Sequence, residues 1–288
     1  AYQVRLLFED ETIYTPAPLH LMVPDASSRL RVKGVVCHVC SERLPNGTFV
    51  QVRDDVYVAS PEACLVQMAP RLSFPKALEM GCEFGGLYRR NPCGSPDFKE
   101  AKILTDAAAL ESFIAKVKGA HGIGRARLLP VYLASFAASP RESQLFLLLC
   151  LKRNYGGYGL PKSKMNERID FDGRSKKLTD KNFLRCDLFW SEARLAVEYE
   201  SDEYHAGSEQ IARDSRRRGA LQYGGVSVIT VTNDQIVDAH KLDEVALLLQ
   251  RQLGIKHRKE TEEWRAAQRN LRRLLLDFDD GLDHVCCE

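Results

Sequence analysis

The chain has 288 residues, enough for one or two domains, and its composition of 44% hydrophobic and 28% charged residues excludes a largely disordered protein. The net charge of +2 is compatible with a nucleic-acid partner but does not require one. The longest uninterrupted apolar run, Leu145 to Leu151, is too short to span a membrane, and no secretory signal opens the chain. Nine cysteines without the regular spacing of a disulfide scaffold indicate a reducing compartment, so a cytoplasmic protein is expected.

Residues 1–138 are predicted to form an α+β domain. Up to about Pro70, short runs of alternating apolar and polar residues predict a small, mostly antiparallel sheet. Ser60 is a good N-cap and Pro61 suits the first helical position, so a helix is expected to follow. A further helical segment is predicted from Ala107 to about Tyr132, with an interruption near residues 119–124.

Two cysteines in this half, Cys37 and Cys40, have the C-x-x-C spacing of half a zinc site. No second C-x-x-C completes the site. Buried or idle thiols are therefore the preferred interpretation, with zinc as the alternative.

A second module is predicted over residues 139–255, followed by a C-terminal helix and acidic tail over 256–288. Ser139 as N-cap, Pro140 in the first turn and Glu142 three residues after the cap predict a capping box and an apolar helix. The elements expected next are strands at 166–171, 183–190 and 195–200, a helix at 209–222, a strand at 226–231 and a helix at 235–252. Because the last strand is apolar on both faces, it is expected to lie centrally, with helices on either side of a mixed α/β sheet.

Three acidic residues occupy two strands that otherwise resemble buried strands. In a hairpin centred between Glu192 and Ala193, Asp187 would face Glu198, and Arg185 would face Glu200. Glu198 and Glu200 share a face because side chains repeat every two residues along a strand. Three carboxylates are therefore expected to converge beside one arginine.

Such a carboxylate cluster is tolerated by exposure to solvent, by protonation or by a bound cation. Oxygen ligands on a rigid scaffold suit Mg²⁺ or Mn²⁺. The pattern thus predicts a metal site, while an exposed hairpin edge remains the simpler alternative.

The order of these elements resembles the PD-(D/E)xK restriction-like nuclease superfamily. The run SPRESQL … N … RCDLFWSEARLAVEYESDEYH … RDSRRRGALQYGGVSVITVT is similar to small bacterial nuclease-like domains related to the very-short-patch mismatch repair endonuclease, over residues 139–234. Such domains recur beside AbiE-type antitoxin domains, which the N-terminal half resembles more loosely through DDVYVASPEACLVQMA. The resemblance implies a restriction-endonuclease-like fold and a link to phage defence, toxin–antitoxin systems or repair.

The resemblance also implies roles for individual residues. Asp187 and Glu198 would be the metal ligands, and Glu142 would hold the metal or its water. Glu200 stands where the wider superfamily has lysine, and His205 matches a histidine that follows this strand. The lysine is absent and Ser201 replaces the relatives' glycine, which leaves open whether the chain is catalytic.

Simpler roles remain open for several of these residues. Glu142 is also explained by the capping box, and His205 by a surface or capping position. The arginines that match the relatives' D-x-x-R helix, Arg217 and Arg218, are also explained by pairing with acids along that helix.

The expected chemistry is metal-assisted hydrolysis of phosphodiester bonds in DNA. Glu200 or His205 would orient or deprotonate the attacking water. The residues expected to contact the phosphate backbone are Lys162, Lys164, Arg185, Arg217 and Arg218. The alternative is a nuclease fold without catalysis that serves as a DNA-binding or antitoxin-like regulator, with a protein partner.

Overall fold

The computed structural model describes residues 3–7, 12–16, 18–40, 43–91, 97–120, 122–170, 182–200 and 208–276. His205, the basic stretch 174–177 and the acidic tail lie outside these ranges. No helix in the described part of the chain has the length and apolarity that a bilayer span requires.

The N-terminal strands form separate pairs instead of the one small sheet that the sequence predicts. Among the described strands up to Pro70, two pairs are antiparallel and one is parallel, so the mostly antiparallel character is confirmed, and a third antiparallel pair follows beyond the predicted stretch. The antiparallel pairs are β1 (Gln3–Leu7) with β2 (Thr12–Pro16), β5 (Phe49–Arg53) with β6 (Val56–Ala59), and β7 (Tyr88–Arg90) with β8 (Phe98–Glu100). The parallel pair is β3 (Leu19–Val23) with β4 (Val35–Val39).

Helices supply most of the core in the first half. The predicted N-cap is confirmed, since Ser60 accepts a hydrogen bond from Ala63 N at 3.2 Å. The helices are α1 (Pro61–Met68), α2 (Phe74–Phe84), α3 (Ala107–Lys116), α4 (Ile123–Ala126) and α5 (Leu129–Tyr132). The interruption between α3 and α4 agrees with the sequence, whereas α2 was not predicted. Ser73 stands at its N-cap position and is followed by Phe-Pro, and the helix buries one face that includes Glu79.

A mixed four-stranded sheet organises the second half, which gives this part of the chain an α/β architecture. Its strands are β9 (Lys164–Asp170), β10 (Phe183–Trp190), β11 (Leu195–Glu200) and β12 (Ser227–Thr232), in the order β12-β11-β10-β9. β10 is antiparallel to both of its neighbours, and β11 is parallel to β12.

The predicted central position of the last strand is wrong, because β12 ends the sheet formed by the described strands. Its apolar run has a different cause, since both of its faces are covered. Val231 belongs to the main core, and Val228 packs against a second cluster beneath the helix α7 (Ser208–Tyr223). A strand that is apolar on both faces is therefore buried on both faces, but this pattern does not show whether it lies at the centre or at the edge of the sheet.

The remaining helices complete the layers around the sheet. The predicted helix at 235–252 is divided in two, because Asp238 accepts hydrogen bonds from His240 N and Lys241 N and so starts a new helix. The helices are α6 (Pro140–Cys150), α8 (Asn233–Val237), α9 (Ala239–Gln252) and α10 (Glu262–Leu276).

One continuous apolar cluster crosses the predicted domain boundary between residues 138 and 139. It contains Leu65 and Leu78 from α1 and α2, Leu148 from α6 and Leu271 from α10. A polar contact crosses as well, since Gln144 on α6 donates to Glu79 at 3.2 Å. The two predicted modules thus share one core.

Candidate functional site

The hairpin β10–β11 has the register that the sequence predicts. Leu188 pairs with Val197, and Trp190 pairs with Leu195. Extending this register by one residue places Asp187 opposite Glu198. There the carboxylate of Asp187 replaces a backbone acceptor, since its Oδ2 accepts a hydrogen bond from Tyr199 N at 2.8 Å. This contact fixes the aspartate at the point where the strands begin to separate.

Glu142 is the third carboxylate of the cluster, in place of the expected Glu200. It lies on the first turn of α6, is 7% exposed, and is close enough to Asp187 for the two charges to interact. Glu200 points instead toward solvent at the end of β11, where its side chain is 54% exposed and lies 3.5 Å from Arg218. Two positions along a strand are thus enough to separate Glu200 from the buried group.

Hydrogen bonds hold Glu142 rigidly in place. Its Oε1 accepts from the Ser139 hydroxyl at 3.1 Å, and its Oε2 accepts from Ala138 N at 2.8 Å and from Asn166 Nδ2 at 2.9 Å. Ser139 caps α6 as predicted, but the carboxylate returns to the amide of Ala138 and not to that of the N-cap, so the capping box is only half correct.

Asn166 was not assigned a role from the sequence. It lies in β9 with a φ of 47°, a left-handed conformation that asparagine tolerates better than most residues. Its amide joins Glu142 to the carbonyl of Phe136, which also has a positive φ of 75°. An isolated asparagine in a strand carries no local signal of this kind, because the contact depends on tertiary packing.

The cluster raises the pKa of each of its carboxyl groups. Burial, followed by the charge of Asp187, raises the pKa of Glu142 to about 7 and that of Glu198 to about 8. Burial also raises the pKa of Asp187, although the Tyr199 amide and the charge of Arg217 oppose the increase. Near neutral pH the site therefore holds protons that exposed carboxylates would have released.

Arg217 on α7 partly neutralises the cluster. Its Nη2 lies 2.6 Å from Glu198 Oε2 and donates to the carbonyl of Arg185 at 2.7 Å. Within the part of the chain that the structure describes, the other oxygen of Glu198, Oε1, is buried without a hydrogen-bond partner. The neighbouring Cys186 thiol, a weak donor, lowers the pKa of Glu198 only in part.

Within the described ranges, no three His, Cys, Asp or Glu side chains are grouped so that they could hold a metal ion. All the oxygens of Glu142 have hydrogen-bond donors, which leaves Asp187 and Glu198 as the two candidate ligands. The bare Oε1 of Glu198 is the atom that a cation would satisfy.

The predicted phosphate-binding residues have different surroundings. Arg185 lies beyond the last paired residues of β10 and β11, Leu188 and Val197. It lies opposite Arg168 on β9, donates to the carbonyl of Asn166, and both guanidinium groups approach the Phe183 ring, at 5.9 and 4.1 Å. Arg217 is bound to Glu198, whereas Arg218 stays 47% exposed.

The two lysines are also partly engaged. Lys164 forms an ion pair with Glu167 at 2.7 Å and stays 59% exposed. The Lys162 ammonium lies 3.4 Å from the carbonyl of Val131, and burial lowers its pKa. Arg168, which was not predicted, is better placed to contact a polyanion than Lys162.

The chain is similar to two uncharacterized proteins of Mycobacterium tuberculosis, from strains CDC 1551 and H37Rv. Each is 31% identical over 127 residues, a region that covers 44% of this chain and 42% of the relative. The matched region thus spans less than half the length of these relatives. No protein-family model and no solved structure matches the chain.

Proposed function

We propose that the protein is a metal-dependent DNA endonuclease of the PD-(D/E)xK type, built on a restriction-endonuclease-like sheet. The observation that carries the proposal is the meeting of Glu142, Asp187 and Glu198, which come from a helix and two adjacent strands. Such a group of buried acids destabilises a fold unless protons or a cation compensate it. Residues with strongly perturbed pKa values cluster in the active sites of enzymes.

The donor set suits Mg²⁺ or Mn²⁺. Magnesium commonly binds through one or two carboxylates and completes its coordination with water and substrate phosphate, so Asp187 and Glu198 are sufficient protein ligands. When bound, the metal would polarise the scissile phosphate and lower the pKa of a coordinated water. Glu142, with its oxygens already engaged, positions β9 through Asn166.

Exposed cations next to the carboxylates would hold the DNA. Arg168 and Arg185 lie directly opposite each other on β9 and β10, and Arg218 and Lys164 present charge to solvent. Arg168 also pairs with Asp170 at 2.7 Å, which offsets part of the repulsion between the two arginines, and a phosphate backbone would relieve the rest. The phosphate backbone of DNA is the substrate that we propose for this arrangement.

A second function is favoured by the ion pair between Arg217 and Glu198. Here the protein supplies its own cation where a metal would act, and Glu200 occupies the place of the missing lysine. The chain would then be a DNA-binding or antitoxin-like regulator with a protein partner and no catalysis.

Plasmid cleavage with Mn²⁺ separates the two functions. We expect nicks or breaks from the wild type and none from Glu198→Gln, which removes a ligand charge and keeps the shape of the side chain. Glu167→Gln, the same change on the exposed side of β9, is the matched control and should cleave normally.

DNA binding is measured on the same proteins. If wild type and Glu198→Gln give equal background cleavage on single-stranded, duplex and mismatched DNA while both bind it, the regulator is correct and the nuclease is wrong. Affinity that falls steeply with salt and depends little on sequence is expected under both functions.

A further inference from the structure

A pair of histidines lies on the parallel strands β3 and β4, in the part of the chain that the nuclease proposal does not use. His20 pairs in register with Val36, and His38 pairs with Met22. Val36 and His38 share one face of β4, since side chains repeat every two residues, and His20 projects from the same face of the pair. His20 Nδ1 lies 2.7 Å from His38 Nε2, and the rings stack with centroids 5.0 Å apart and an interplanar angle of 17°.

Two imidazole nitrogens that point at one another are the typical start of a transition-metal site. Neutral imidazole is the commonest protein ligand for zinc, nickel and copper, whereas Mg²⁺ prefers oxygen. With zinc–nitrogen bonds of about 2.0–2.1 Å and tetrahedral angles, the two nitrogens would lie about 3.4 Å apart. The rings therefore need to separate by less than about 1 Å, which a change of side-chain torsion achieves.

We propose that His20 and His38 form a surface binding site for a divalent transition metal of the Zn²⁺ or Ni²⁺ kind. His20 is exposed and His38 is half-buried, so water and an ion reach the facing nitrogens. Its ligands are nitrogens, whereas those of the proposed site on β10 and β11 are carboxylates. The two proposals are therefore independent of each other.

Cys37 lies on β4 and Cys40 directly after it, and among the described residues neither belongs to a group of three side chains that could hold a metal ion, as the C-x-x-C alternative would require. Residues three apart on a strand point to opposite faces, and the sulfur of Cys37 accepts a hydrogen bond from Leu30 N at 3.3 Å. Cys40 follows His38 by two residues, and its amide continues the strand pairing by donating to Val23 O at 2.9 Å. Cys40 is thus the thiol that can approach the histidines. In the described chain no third side chain already completes the group, so water would fill the other positions of a bound ion.

Arg71 opposes cation binding at this pair. Burial, and then the positive charges of His20 and Arg71, lower the pKa of His38, which places the guanidinium within electrostatic range of the ring. Removing this charge while keeping both histidines should tighten metal binding. Arg71→Gln therefore provides a gain-of-affinity variant that a general loss of structure cannot imitate.

Calorimetric titration of the full chain with ZnCl₂ and with NiCl₂ tests the proposal. Wild type should bind one ion per chain at this site, and His20→Ala and His38→Ala should each weaken that binding by at least about tenfold, because even indirect partners of metal ligands cost this much. His257→Ala is the matched control, since His257 contacts Gln250 on a different part of the surface. Unchanged affinity in both variants, or an equal loss in the control, would overturn the site.

Co²⁺ identifies the ligands by its absorption spectrum. A sulfur-to-cobalt charge-transfer band that Cys40→Ser removes would add this thiol to the two histidines. The visible cobalt bands should disappear in His20→Ala and be stronger at equal cobalt in Arg71→Gln. Visible bands that persist in both histidine variants would place the cobalt elsewhere and disprove the pair. An excess of Mg²⁺ should not displace the cobalt, because Mg²⁺ prefers oxygen ligands. The histidine site and the carboxylate site are therefore tested separately, and failure of the histidine site would not contradict the nuclease proposal.

Discussion

Asp187 lies between two other acids, Glu142 and Glu198, and only Arg217 compensates the three among the contacts described above. In metal-free buffer this repulsion costs stability, because like charges that face each other across a hairpin destabilise it. Asparagine has the same shape and keeps an oxygen to accept the Tyr199 amide. Asp187→Asn should therefore raise the free energy of unfolding by about 1 kcal/mol, or the melting temperature by about 2–4 °C, in EDTA.

The same variant should lose any stabilisation by Mg²⁺ or Mn²⁺, since a ligand that binds only the folded state must raise its melting temperature. Asp170→Asn is the control, because Asp170 is 67% exposed at the end of the neighbouring strand. An equal metal response in Asp187→Asn and wild type would remove the metal site from consideration.

The raised pKa values of Glu142 and Glu198 make stability depend on pH in a defined direction. In the folded protein the pKa is about 7 for Glu142 and about 8 for Glu198, whereas the ordinary pKa of both groups is 4.5. Their contribution to stability is thus complete at pH 4.5 and below and is lost as the pH rises through the folded values. Each proton contributes a slope that approaches about 1.4 kcal/mol per pH unit between these limits.

Urea denaturation from pH 5 to 8.5 in EDTA measures this slope. Glu198→Gln should have a flatter profile than wild type, because it removes one of the two titrations, and Glu167→Gln should match wild type. A stability difference between Glu198→Gln and wild type that is constant with pH would mean that Glu198 ionises normally in the folded protein.

At the level of elements, the sequence predicts best where the pattern depends on near neighbours. The bounds of β10 and β11 are those predicted, since apolar alternation and the turn between the strands determine them. The predicted facing of Asp187 and Glu198 agrees with the observed register for the same reason. The edge position of β12 was not predictable from its own pattern, because it depends on which distant elements lie nearby. The hairpin pattern alone placed Glu200 with the two strand acids, whereas the family resemblance already implied that Glu142 lies at the site.

The loop after α6 contains two glycines that the C-terminal helix requires. Gly156 has a φ of 92°, and a Cβ atom there would lie 2.3 Å from the carbonyl oxygen of Ala267 on α10. The neighbouring carbonyl of Gly157 accepts a hydrogen bond from the Trp264 indole at 3.0 Å. The tyrosines of this loop pack internally: Tyr158 donates to Asp243 at 2.6 Å, and Tyr155 stacks near Phe74.

Gly156→Ala should therefore lower the free energy of unfolding by at least about 1 kcal/mol, from backbone strain and the clash with α10. Gly219→Ala is the opposite control. An added Cβ at this position on α7 meets no atom within 4 Å, and alanine is the better helix former, so stability should rise by up to about 1 kcal/mol. Denaturant midpoints of the two variants that move in the same direction would contradict this account of the loop.

For the whole molecule, the continuity of the core has a direct consequence for unfolding. Leu65 and Leu78 from the first half belong to the same cluster as Leu148 and Leu271 from the second. Removing either half would expose the apolar face of the other to water. This exposure costs a free energy of about 25 cal/mol for each Å² of apolar surface. The predicted boundary at residue 138 is thus crossed by the contacts that stabilise both sides.

Scanning calorimetry of the intact chain should accordingly show one transition, with calorimetric and van't Hoff enthalpies that agree. Leu148→Ala, which leaves a cavity in α6, should lower that single transition without dividing it, at a cost of about 2–5 kcal/mol. Two resolved transitions, of which Leu148→Ala moves only one, would instead support separate domains.

The position of α10 also affects when the protein can fold during synthesis. Trp264, Leu271 and Leu275 fill the same core as α1 and α2, and Arg272 donates to the carbonyls of Ile236 and Val237. A ribosome that adds about 5–20 residues per second needs on the order of 10–40 s to reach α10 after it has made α1. During that interval the apolar faces of α2 and α6 lack the cover that α10 provides, so we expect the nascent chain to rely on chaperones or on temporary contacts until α10 arrives.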